Sequence, residues 1–185
     1  MEALPKGVIS EIFGCVSSGK TLVLQELLAS SSARGEFCAV VDSRGAFDPL
    51  SASHAGVDLR RLLWVRAGHR ADHRIDRAFK AADLILHAGG FGVVVLDLCD
   101  VPLRDLNSIP LSYWYRFRLA VENTPTSLIV TGDQPLVKSC ARVQLEVKRQ
   151  RLLWRGPVFE GIDFELASRK ARIPVVDQAR LRMAG

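Results

Sequence analysis

The stretch "GVISEIFGCVSSGKTLVLQELLASSS" (residues 7–32) joins an apolar run to a glycine-bounded loop and then to a leucine-rich helical pattern. Within it, "GCVSSGKT" (14–21) has the spacing G-x-x-x-x-G-K-T, the pattern of a phosphate-binding loop. The two glycines let the backbone curl, so that the N–H groups of Gly14, Cys15, Val16, Ser17, Ser18 and Gly19 turn towards phosphate oxygens. Lys20 then reaches the β- and γ-phosphates, and Thr21 holds a magnesium ion. A helix opening near Gly19 adds the positive end of its dipole at the same place. The expected cofactors are therefore ATP and Mg²⁺.

Outward from the loop, apolar runs and helical periods alternate. "VISEIFG" (8–14), "FCAVVD" (37–42), "LLWVR" (62–66) and "SLIVTGD" (127–133) read as strands. "GKTLVLQELLASSSAR" (19–34) reads as a helix with Leu24, Leu27 and Leu28 on one face. "ADHRIDRAFKAADLILHAGG" (71–90) is an amphipathic helix, with Ile75, Phe79, Ala82 and Leu86 on one stripe. "GVVVLDL" (92–98) is continuously apolar, as in a parallel strand buried on both faces. It carries Asp97, the acid a phosphate-loop protein needs beside its magnesium. "PLSYWYRFRLAVENT" (110–124) is a helix opened by Pro110. Then the pattern changes: "ARVQLEVKRQRLLWRG" (141–156) alternates as a hairpin, and "GIDFELASRKARIPV" (161–175) as one or two further strands. The expected fold is α/β, a P-loop core with a mostly parallel central sheet, flanking helices and a C-terminal antiparallel extension.

The 185 residues suit one domain over 1–175, with 176–185 as a short, loosely held tail. No apolar run approaches the roughly 20 residues a bilayer-spanning helix needs, and "MEALPKG" lacks the regions of a signal peptide, so a cytoplasmic protein without membrane partners is expected. The four cysteines (Cys15, Cys38, Cys99, Cys140) are scattered without a CxxC pair, which argues against zinc and for small buried hydrophobes. The net charge is +5, and nineteen of the twenty-five basic residues are arginine, the side chain suited to bidentate contact with phosphate or carboxylate.

The segment "LPKGVISEIFGCVSSGKTLVLQELLASSSARGEFCAVVDSRGAFDPLSASHAGVDLRRLLWVR" (4–66) resembles the ATPase core of the RecA recombinases. It carries the G-x-(I/V)-x-E-I-x-G entry, the SSGKT loop, the V-D-x-x-x-A-x-D-P segment and the A-G-V-D-x-x-x-L-L strand. The likeness is dense over about 5–66 and continues more weakly through Asp97 and Ile129. Within that superfamily, "YWYRFR", "SLIVTGDQP" and "SCARVQLEVKR" resemble the ImuA-type branch, damage-inducible accessories of error-prone translesion polymerases. The resemblance implies a place in DNA repair and the SOS damage response. Single-stranded DNA, a repair polymerase or a RecA-type protein are the implied partners, with the oligomeric state left open.

Several positions depart from the family pattern. Where the recombinases carry the glutamate that activates the attacking water, this chain has Arg44, which cannot accept a proton at neutral pH. Loss of a positioned base costs about 10²–10⁴ in rate, so little or no hydrolysis is expected, whether Arg44 neutralises charge beside the γ-phosphate or is only a surface residue of its loop. Asp42, Asp48 and Asp133 are nearby acids, none at the matching position. The adenine-stacking position is Ser51 rather than an aromatic. The two DNA-binding loops shrink to "CDVPLRDLNSIP" (99–110) and "GDQPLVKSC" (132–140). Arg104, Lys138, Arg142 and the cluster Tyr113, Trp114, Arg116 remain as candidate DNA or partner contacts, although Trp114 and Phe117 share a face of core character. Lys170 and Arg172 match two family lysines that reach a neighbour's ATP, and a basic edge strand explains them equally well. The sequence opens directly on the first core strand, so filament assembly of the recombinase kind is not expected. Arg70, Arg74 and Arg77 form a basic stripe on the polar face of the helix carrying Ile75 and Phe79, read as a solvated face, with an acidic partner or a phosphate backbone as the alternative.

The leading expectation is an ATP-binding, RecA-like repair accessory with little hydrolysis. A DNA-stimulated ATPase and an interaction module with a vestigial P-loop are the alternatives.

Overall fold

The computed structural model describes residues 4–68, 74–170 and 179–182. Arg70 and Arg172 therefore lie outside the described residues. Strands β1 (Ile9–Phe13), β2 (Cys38–Asp42), β3 (Leu62–Arg66), β4 (Val93–Asp97), β5 (Ser127–Gly132), β6 (Ala141–Arg155), β7 (Val158–Lys170) and β8 (Ala179–Arg182) form one sheet in the order β3-β2-β4-β5-β1-β6-β7-β8. The pairings from β3 through β6 are parallel, and β7 and β8 add antiparallel. No helix among the described residues is long and apolar enough to cross a membrane.

Period-two alternation in the central strands divides the core into two layers. Val40, Val95 and Ile129 pack with helix α1 (Lys20–Ala33) and the short α2 (Pro49–His54) on one face. Val41, Leu96 and Val130 pack on the other face with helices α3 (Arg74–Ala88) and α5 (Leu111–Val121). The continuous apolar run of β4 is explained by this arrangement, since both of its faces are covered. The expected stripes hold: Leu24, Leu27 and Leu28 are buried on α1, and Phe79, Ala82 and Leu86 on α3, with Ile75 half-buried against the same cluster.

Four details differ from the sequence expectation. Residues 141–155 are a single strand rather than a hairpin. The first part of β6 runs parallel to β1 and the rest pairs with β7, so the turn falls at Gly156 and Pro157. Alternation shows that a segment is extended but not where its partner lies. Two short helices, α2 and α4 (Leu103–Asn107), span too few residues for a period to register. Cys15 is exposed on the phosphate loop instead of buried.

Trp114 is corrected as a contact residue: it is 2% exposed and packs edge-on against Phe79 at 5.1 Å and Phe117 at 6.1 Å. No base can stack on it there. Its neighbours on the helix do reach the surface, because adjacent helical positions point about 100° apart. Within the stretch read as a tail, Ala179–Arg182 pairs antiparallel with β7.

Candidate functional site

The loop between β1 and α1 takes its shape from two glycines. A Cβ on Gly14 would stand 2.4 Å from the Val147 carbonyl oxygen and 2.8 Å from Ser18 Oγ, so β6 lies directly against the loop backbone. Gly19 has φ +106 and serves as the helix N-cap, a conformation that favours glycine. No side chain caps α1 and its first turn holds no acid, so the positive end of the helix faces the loop uncompensated. Ser18 Oγ is buried without a hydrogen-bond partner among the described residues. A buried orphan hydroxyl beside an uncapped helix start is an unsatisfied anion cradle, and a phosphate fits it.

Lys20 is largely buried, and its amine donates to Gly14 O at 2.5 Å, Cys15 O at 2.9 Å and Asp133 Oδ1 at 3.0 Å. Thr21 is exposed at the start of α1. Asp97 ends β4, where its Oδ1 accepts from Thr131 Oγ1 at 2.6 Å and from the Cys99 N–H at 3.0 Å. Burial pushes the Asp97 carboxyl up. The Thr131 and Cys99 hydrogen bonds only partly offset this, and the charge of Asp42 adds to it. A divalent cation held by Asp97 and Thr21 would offset that burial of charge.

The three nearby acids separate cleanly. Asp42, at the end of β2, accepts from the backbone N–H groups of Arg44, Gly45, Ala46 and Phe47 and from Trp64 Nε1, so it organises its own loop. Asp48 caps α2, accepting from the N–H groups of Leu50 and Ser51 and from the Ser51 hydroxyl, which holds its carboxyl below the usual range. That contact also occupies Ser51. Only Asp133 reaches the loop lysine, and its other oxygen accepts from the Asp100 N–H at 3.0 Å.

Arg44 is exposed and lines a groove of about 400 Å³ between α3, α4 and α5, together with Arg74, Arg104, Asp105, Phe79 and Tyr113. No residue of 14–21 lines that groove. Asp42 fixes the backbone of the Arg44 loop, and the Arg44 side chain borders this groove.

The remaining candidates divide between structural contacts and open surface. Arg116 pairs with Asp83 of α3 at 2.5 Å and lies over the Tyr113 ring, tying two helices together. Arg77 donates to the Ala67 carbonyl at 2.8 Å instead of standing free in solvent. Lys138 and Arg142 are exposed. Lys170 donates to Ser139 O at 3.1 Å and Ala141 O at 2.6 Å. Ala141 pairs with Ile9, so Lys170 sits at the opposite end of β1 from Gly14.

Sequence reasoning missed Glu11. Its buried carboxylate accepts from the N–H groups of Leu136 and Val137 and from Gln144 Nε2, which pins the loop after β5 to the strand that delivers the phosphate loop. The signals were its place in the G-x-(I/V)-x-E-I-x-G entry and an acid inside an apolar strand, which demands buried partners.

Comparison with known proteins gives a consistent picture. A family described as the RecA N-terminal domain matches residues 1–105. Protein RecA of Rhizobium etli is 38% identical over 94 residues, covering 51% of this chain and 25% of the relative. Protein RecA of Rickettsia prowazekii is 35% identical over 94 residues, and that of Acinetobacter baylyi 36%, each covering 51% of this chain and 26% of the relative. The matched part thus spans about a quarter of each relative's length.

Proposed function

The chain belongs to the family of the RecA N-terminal domain, and on that premise we propose that it is an ATP-binding accessory of DNA repair with little hydrolytic turnover. The observation that carries the nucleotide part is the cradle itself: an uncapped helix start, a left-handed Gly19, an orphan Ser18 hydroxyl and a buried lysine. Bound Mg²⁺–ATP supplies a hydrolysable γ-phosphate. Residues 14–19 would orient the phosphates through their N–H groups, Lys20 would neutralise them, and Thr21 and Asp97 would hold the ion. Arg44 supports slow turnover, because the position that supplies a proton acceptor in the resembling recombinases carries a permanent cation.

The translesion-type role rests on the ImuA-like second half and on the short loops after β4 and β5. Exposed Arg104, Lys138 and Arg142 are the side chains we assign to single-stranded DNA or to a repair polymerase or RecA-type partner. Lys170, at the far end of β1, would serve a neighbouring copy's nucleotide rather than its own.

A second reading, an active DNA-stimulated ATPase, is favoured by one observation: the Asp133 carboxylate stands at the loop lysine. Titration with a fluorescent ATP analogue and Mg²⁺ tests the first reading. Binding is expected, weakened about tenfold or more in Lys20→Ala, and no binding at high micromolar concentration refutes it. Phosphate release with single-stranded DNA, at background in the wild type, separates the two readings; turnover abolished by Lys20→Ala establishes the second.

A further inference from the structure

We propose that Asp133 is a built-in anion that occupies Lys20 and must be displaced by any polyphosphate entering the loop, an inference that rests on reading residues 14–21 as a nucleotide site. A lysine ammonium has three N–H donors. In Lys20 all three are engaged, by Gly14 O, Cys15 O and Asp133 Oδ1. A phosphate oxygen gains no direct hydrogen bond from this lysine until one of them lets go. The two carbonyls belong to the loop itself, whereas Asp133 belongs to the segment that follows β5.

It follows β5 directly, on a loop that Glu11 holds through Leu136 and Val137, and Glu11 is itself 1% exposed. The second carboxylate oxygen of Asp133 is held by the Asp100 N–H. The acid is therefore fixed from two sides. Releasing Lys20 to a phosphate leaves its charge stranded next to the incoming anion, and like charges brought together lower affinity.

Asp133→Asn removes the charge while leaving an amide oxygen for the Asp100 N–H. Affinity for the fluorescent ATP analogue with Mg²⁺ is expected to tighten about tenfold, and inorganic pyrophosphate, used as competitor, by a similar factor, because the lock acts on phosphate and not on the base. Asp133→Ser, which also removes the charge, guards against a folding failure of the first variant. Equal affinity in wild type and variant overturns the lock and leaves the nucleotide reading standing. Weaker binding, or turnover present in the wild type and lost in the variant, overturns it in favour of a catalytic carboxylate. If neither protein binds nucleotide, that reading falls. The lock is then judged by a thermal-unfolding cycle of Lys20→Met, Asp133→Asn and the double variant without ligand: additive changes in Tm refute a Lys20–Asp133 bond, and non-additive ones support it.

Discussion

The phosphate loop (14–21) and the later segment (133–170) meet at Gly14, Gly19 and Lys20, yet they are specified in different ways. The loop is local: two glycines, a lysine and the start of α1 within eight residues carry its whole geometry. The later segment acts at long range. Asp133 bonds a lysine 113 positions earlier, the Val147 carbonyl closes on Gly14, and the Phe164 ring comes within 3.3 Å of a Cβ placed on Gly19. The first region matches the RecA N-terminal domain, whereas the second lies beyond the matched residues. The loop that lies in the family part is thus contacted by residues outside that part.

The largest effect should come from forcing the two regions apart. Gly14→Ala puts a methyl against the Val147 carbonyl and Ser18, and overpacking of this kind costs about 3 kcal/mol. Denaturant unfolding should show a lower midpoint. A variant as stable as the wild type would mean that β6 does not press on the loop. Next is Glu11→Ala, which leaves the Leu136 and Val137 N–H groups and the Gln144 amide without their buried acceptor, at a cost of about 2 kcal/mol. The same measurement reads it, and a change near zero would detach the 133–140 loop from β1.

The smallest effect is a pH dependence at Asp97. Its carboxyl is raised in the folded protein, chiefly by burial, so its contribution to stability is fully present below its ordinary value and is lost as pH rises through the raised one. Asp97→Asn escapes that loss while keeping an oxygen for Thr131 and Cys99. Without ligand, the variant should melt higher than the wild type at pH 7 in a thermal-unfolding series, with the gap closing towards pH 4. A gap that widens on acidification would contradict the raised carboxyl.

Much of the fold was legible because it is periodic. Strand β3 was read at its observed bounds, and β1, β2, β4 and β5 within two residues at each end. The apolar stripes of α1 and α3 identified their buried faces, since one face against a sheet leaves a 3.6-residue signature. The loop's Gly14, Gly19 and Lys20 were legible for a related reason: spacing alone brings them together. The pairing of β6 was not, because alternation is blind to the partner. Trp114 was legible in part: the face it shares with Phe117 reads as core, the adjacent Tyr113 and Arg116 read as contact surface, and Phe79 packed beside it decides between them.

By itself, the order of residues determined the layered α/β architecture and a phosphate loop at its centre, because hydrogen-bonded elements repeat at fixed periods that side-chain polarity reveals. Tertiary structure alone decided which acid meets Lys20, why Asp42 and Asp48 are committed elsewhere, and that Arg44 borders a groove. Each of those outcomes is a competition among carboxylates and N–H groups brought close only by chain folding, and side-chain competition leaves no period to read.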